Sequence, residues 1–296
     1  MMRKEDLREF SAENQIPFRQ VLGWYVSGLL LHLISETGFL ERMIIVSPVS
    51  LNPDQDLHIL EEGIRAYYLP NQEYASERNF VPGCPYRADF RERLLLMLQR
   101  EAMRAGYPLE IRVIARDRKV GIYYDQMYIP LDVIIEENQI DGGQEIRTEE
   151  EVEYFDPEIK AIRLFSLSPA MRSALLVKNI LERLELDSEM EDYLYLYDIL
   201  TKETVSAREA CWAIRDLTGA KSAGLDEAFK QLKTYDKNSY MKRKWKVLLR
   251  RHGQREPVWE KVIGLVVRFT EPVIGSLESD QPFFGEWMPE LGRYLE

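Results

Sequence analysis

Apolar and polar positions follow two rhythms along this chain, and the rhythm changes at Ser168. Residues 5–15 and 18–36 carry helical spacing. The second stretch is apolar nearly all round, with Val21, Leu22, Trp24, Tyr25, Val26, Leu29, Leu30, Leu31, Leu33 and Ile34. A helix without a polar face is expected to be buried, and Gly38 to stop it. Met43-Ile44-Ile45-Val46 is a continuous apolar run closed by Ser47-Pro48, which predicts a strand and a turn. Residues 57–69 read as helix-like or mixed, and 70–85 as irregular, with Pro82, Gly83 and Pro85 close together. An amphipathic helix is predicted over 89–105, ended by Gly106. Three strand signals follow at 109–115, 120–124 and 128–136, read together as a meander. An acidic loop or insertion is expected over 136–153.

Beyond Ser168 only the helical rhythm remains. Ser168 is placed to cap a helix with Pro169 at its first position. Helices are predicted at 169–185, 189–201, 206–218, 224–234, 239–251, 256–276 and 285–295, with no internal repeat at a fixed period. The expected fold class is α+β: a small mixed sheet with flanking helices over residues 1–160, then an all-helical domain over 161–296.

Composition narrows the function classes. The 296 residues are 45% hydrophobic and 30% charged, as in ordinary globular chains, and suffice for one large domain or two smaller ones. A formal net charge of −11 argues against indiscriminate coating of nucleic acid, yet leaves room for a local basic patch. Cys84 and Cys211, like His32, His58 and His252, are too scattered for a disulfide framework or a zinc site. Acids stand where a signal peptide would turn apolar. The apolar run from Val21 to Ile34 falls short of the ~20 residues that span a bilayer. A cytoplasmic protein without a membrane partner is expected.

Within Tyr128–Glu137, Asp132 interrupts a β-branched run. A carboxylate there is costly unless it pairs, meets solvent or holds a metal. Either it is a surface aspartate on an edge strand, which Pro130 favours, or it is one acid of a magnesium site, which needs further oxygen ligands from a neighbouring strand. Glu77 and Asn79 are the nearest candidates for such a set, with Asp89 also near; Asp54 and Asp56 have the right spacing but follow Pro53 and read as helix-capping acids. A phosphate-cradling turn should precede the acids. The chain has Val46-Ser47-Pro48 there, with Glu61-Glu62-Gly63 as the other option. Further on, Lys178 and Arg183 are cations suited to a triphosphate, and Asp198 to a structural hydrogen bond; the alternative is a solvated face. The strongest basic cluster is Lys242, Arg243, Lys244, Lys246, Arg250, Arg251 and Arg255, with Trp245 among them and no acid. It reads as an RNA-phosphate face or as a counter-surface for a partner. Trp245, Trp259 and Phe269 at helical spacing read as core.

The order of these features resembles the abortive-infection (AbiEii-type) nucleotidyltransferase family, the toxin side of some bacterial toxin–antitoxin pairs. Phe39 to Leu51 is similar to the family's strand and Lys-Gly-Gly turn, with Val46, Ser47 and Pro48 in place of Lys-Gly-Gly. Ile129 to Ile135 resembles the strand of the third acid. Ser168 to Arg183 and Tyr195 to Leu200 resemble the family's lysine helix and Asp-containing helix, with Tyr195 at the first Asp position and the family lysine falling at Leu176. Trp245, Pro257 and Val262 to Pro272 resemble its helical ending. The resemblance implies a nucleotidyltransferase architecture that transfers a nucleotidyl group from a nucleoside triphosphate to an RNA or protein hydroxyl, beside an antitoxin partner. Asp132 and Glu77 would be catalytic and would hold Mg²⁺ with Asn79; Ser47, Lys178, Arg183 and Asp198 would bind substrate. The departures point to the other outcome, an inactive nucleotidyltransferase fold that binds protein or RNA.

Overall fold

The structure, a computed structural model, describes residues 2–37, 43–45, 63–68, 90–114, 119–137, 147–152, 154, 156, 158–159, 161–186, 190–218, 224–251 and 255–295. The chain divides into two compact units, Met1–Ser166 and Leu167–Glu296. Its class is α+β.

The first unit is organised around helix α2 (Phe18–Glu36), which follows α1 (Lys4–Glu13). Twelve of its residues, on every side, are buried, as its all-round apolarity predicts. A five-stranded mixed sheet has the order β6-β2-β1-β8-β7, built from β1 (Met43–Ile45), β2 (Gly63–Tyr68), β6 (Asp132–Glu137), β7 (Arg147–Val152) and β8 (Ile162–Leu167). β1 runs antiparallel to β2 and parallel to β8, and β2 runs parallel to β6. A separate three-stranded meander joins β3 (Leu109–Ile114), β4 (Lys119–Tyr124) and β5 (Met127–Ile129). Helix α3 (Phe90–Ala105) ends at Gly106, whose φ of +73° is the left-handed conformation glycine adopts freely.

Three expectations change here. The run from Tyr128 to Glu136 is not one strand of the meander: it is cut at Pro130, whose missing N–H cannot continue a ladder, so β5 stays with the meander and β6 joins the larger sheet. Residues 63–68, read as helix-like or mixed, form β2, where Ile64 and Ala66 are buried at the two-residue period of a strand. Residues 147–152, placed in a loop, form β7.

A buried polar cluster ties the ends of this unit together. Asp156, 1% exposed, accepts hydrogen bonds from the Met2 amide at 2.9 Å, the Tyr25 hydroxyl at 2.9 Å and the Glu158 amide at 3.0 Å. Tyr124 donates to the Met2 carbonyl at 3.3 Å, and the Tyr154 hydroxyl donates to the Tyr25 carbonyl. The Tyr25 and Tyr154 rings stand 5.7 Å apart. Tyr154 lies so close to α2 that a Cβ at Gly28 would run into its ring. Burial pushes the Tyr25 and Tyr154 hydroxyls well up, with tyrosine neighbours and Asp156 adding to it.

The second unit packs α4 (Pro169–Arg183), α5 (Glu191–Lys202), α6 (Ala207–Thr218), α7 (Leu225–Leu232), α8 (Ser239–Arg251) and α9 (Trp259–Ser279). Ser168 caps α4 by accepting the Met171 amide at 3.3 Å. The core holds three tryptophans whose indole N–H groups each donate to a backbone carbonyl: Trp245 to Pro257 at 2.7 Å, Trp259 to Tyr235 at 2.8 Å and Trp287 to Leu200 at 2.8 Å. Such pairing removes the penalty of burying a polar tip.

This unit is not all-helical. The helix expected at 285–295 is a hairpin of β10 (Glu286–Met288) and β11 (Arg293–Leu295), and β10 also pairs with β9 (Val205–Ser206). Pro289 and Gly292, at φ +56°, suit a reversal and not a helix interior.

Candidate functional site

Asp132 is the first residue of β6, in register with Gly63 of β2. Among the described residues β6 is an edge strand, since it ends the sheet order. Its neighbour β2 reads Gly-Ile-Arg-Ala-Tyr-Tyr and brings no carboxylate to the strand beside Asp132. A two-metal clamp draws on carboxylates from more than one position, and β2 supplies none. Gly63, read with Glu61 and Glu62 as an alternative phosphate turn, is a strand residue. Ser47, Glu77 and Asn79, like Asp54, Asp56, Glu61, Glu62 and Asp89, lie outside the described residues. Among the described residues no group of three or more His, Cys, Asp or Glu side chains is arranged to hold a metal ion.

The candidates in the second unit are engaged locally. Lys178 pairs with Glu182 one turn on at 3.2 Å, Arg183 with Asp192 at 3.5 Å, and Asp198 with Lys202 one turn on at 2.7 Å. The same habit runs through the unit: Arg172–Glu203 and Arg215–Asp280 at 2.8 Å, with Lys230–Asp226 and Lys233–Glu271 alongside. These seven basic side chains are each matched by an acid nearby.

Helix α8 departs from that habit. It carries no acid. Asn238 caps it, accepting the amides of Tyr240 at 3.0 Å and Met241 at 3.2 Å. Met241, Trp245, Leu248 and Leu249 are buried, and their spacing is one helical stripe. Trp245 fixes the rotation through its bond to Pro257, with its ring 5.8 Å from that of Trp259. With that stripe inward, Tyr240, Arg243, Lys246, Val247 and Arg250 are exposed. Lys242 is taken by Glu260 at 2.6 Å, and this hydrogen bond holds the Glu260 carboxyl below its usual range. Arg243 and Arg250 have no ion-pair partner among the described residues.

The sequence points to the cluster but not to its aromatic. Trp245, which lies among the basic residues, is core, whereas Tyr240 is 47% exposed. The missed signal is spacing: Tyr240, Arg243, Val247 and Arg250 recur at three and four residues on one stripe. No described helix is long and apolar enough to cross a membrane. No family model matches the chain, and no curated protein or solved structure does.

Proposed function

We propose that this chain is a nucleotidyltransferase-like protein that works by binding nucleic acid, with RNA as the expected ligand, through the outer face of α8. One observation carries the reading: Arg243, Lys246 and Arg250 stand exposed on an acid-free helix, in a chain of net charge −11 whose other cations in the same unit are so often paired. Like charges clustered on one face repel, and phosphates relieve that repulsion while releasing condensed counterions. The three cations span about 10 Å of helix, enough for a backbone to run along them. The nucleotidyltransferase-like part of the reading rests on the sequence resemblance and on the mixed sheet that contains Asp132.

The test is fluorescence anisotropy with a labelled oligoribonucleotide at low salt. Replacing Arg243, Lys246 and Arg250 together by alanine is expected to weaken binding by about tenfold or more without lowering Tm, because all three are exposed. Undiminished binding by that variant would sink the proposal.

A second reading retains chemistry: transfer of a nucleotidyl group from a nucleoside triphosphate to an RNA or protein hydroxyl by a toxin with an antitoxin partner. The position of Asp132 at the start of β6, two strands from β1, favours it. Asp132, with Glu77 and Asn79, would hold Mg²⁺, which would offset charge on the phosphates. This reading expects a Mg²⁺-dependent rise in Tm with one nucleoside triphosphate, abolished by Asp132→Asn. Flat curves across all four nucleotides would remove it and leave binding.

A further inference from the structure

We infer that the α8 face takes single-stranded nucleic acid, with an unstacked base lying on the Tyr240 ring while phosphates lie on Arg243, Lys246 and Arg250. This rests on the nucleic-acid reading of the same helix and adds what form of polymer fits it.

Three observations carry it. Tyr240 is a large aromatic left 47% exposed at the first turn of a helix whose core stripe is already filled by Met241 and Trp245. The Lys244 ammonium stands 4.7 Å from the centroid of the Tyr240 ring, so a cation–π contact orients the ring and puts positive charge behind it. Val247, one turn beyond Arg243, is 48% exposed and extends the apolar strip toward Arg250. The surface is therefore an aromatic platform and an apolar shelf laid between cations.

The form of the polymer follows from what each form offers such a surface. A duplex keeps its base faces stacked inside, and the deep, narrow major groove of RNA does not admit a helix. It would present phosphates to the arginines and nothing to Tyr240. A single strand offers both, since any unstacked base has a π-face. Stacking also responds to salt differently from phosphate contacts, because it releases no counterions. The ring and the cations therefore separate in experiment.

The test uses the full chain and three labelled probes of about a dozen nucleotides: a single-stranded RNA, the DNA of the same sequence, and the RNA duplex. Anisotropy is read for the unaltered protein, Tyr240→Ala and Tyr240→Phe. The expected result is tighter binding of single strands than of duplex, and roughly tenfold weaker single-strand binding in Tyr240→Ala. Duplex binding should not change in that variant. Tyr240→Phe, which keeps the ring over Lys244, should retain single-strand binding. Whichever single strand binds more tightly, the inference is supported and the sugar identified. Equal affinity for single strand and duplex, with Tyr240→Ala indistinguishable from the unaltered protein, overturns the inference and leaves the nucleic-acid reading standing. Failure of all three probes to bind at low salt overturns both.

Discussion

Asp156 and the outer face of α8 show two opposite treatments of charge. In the first unit a carboxylate is 1% exposed and receives the Met2 amide, the Tyr25 hydroxyl and the Glu158 amide. In the second unit Arg243 and Arg250 are exposed and have no ion-pair partner among the described residues. A buried polar group whose hydrogen bonds are met has its interactions already occupied, and its loss is felt as stability. An exposed cation without a counter-charge contributes little to folding and remains available to a ligand. The contrast separates the residues that hold the molecule together from those that can act on something else.

Breaking the first side of the contrast should have the largest effect. Asp156→Ala leaves two amides and the buried Tyr25 hydroxyl without their acceptor and is expected to cost roughly 2–3 kcal/mol, read by urea unfolding, while RNA binding by the folded protein stays unchanged. Gly28→Ala drives a methyl group into the Tyr154 ring. Overpacking of that kind costs about 1–3 kcal/mol; a variant as stable as the parent would show that Tyr154 can move aside.

The tyrosines give the same unit an alkaline limit. Burial raises the folded-state pKa of Tyr25 and Tyr154 above the ordinary value. Their contribution is therefore full below the unfolded value of about 10 and is lost as pH rises above it, by up to about 1.4 kcal/mol per unit for each group. Tyrosinate absorbance of these two residues should appear together with loss of secondary structure. Ionisation of all the tyrosines in a protein that remains folded would contradict it.

On the other side of the contrast, Glu260→Gln releases Lys242 from its 2.6 Å ion pair and removes an acid from beside α8. Tm should hardly move, and RNA affinity at low salt should rise a few-fold. A fall in affinity would show that Lys242 is needed where Glu260 holds it.

How much of this was legible beforehand depended on whether local sequence set the local structure. Helix α2 was readable to its ends because apolarity all round leaves it only the interior, and Ser168-Pro169 announced α4 because cap and first-turn proline act within one turn. The basic face was readable as a run of Lys and Arg without acids. The misses come from partners far along the chain. β2 and β6 pair across more than sixty residues, and only that pairing separates β6 from the meander. In the hairpin, Trp287, Leu291 and Tyr294 fall at helical spacing and imitate a helix; the better signal was Pro289 and Gly292 between two short runs. Trp245 reads as core from its spacing and is core, whereas Tyr240 stands just before the basic run, and the rotation fixed by the Trp245–Pro257 hydrogen bond turns it outward. Glu77 and Asn79 fall outside the described residues, so the acid set around Asp132 is described only at Asp132 and along β2.

The most direct test of the account is the salt dependence of binding to a labelled single-stranded RNA. Three phosphates neutralised by Arg243, Lys246 and Arg250 predict a slope of about −2 for the logarithm of the binding constant against the logarithm of salt concentration. Each single alanine substitution should flatten it by about 0.7. A slope near zero, or one that the three substitutions leave unchanged, would contradict the claim that this face of α8 binds the nucleic-acid backbone.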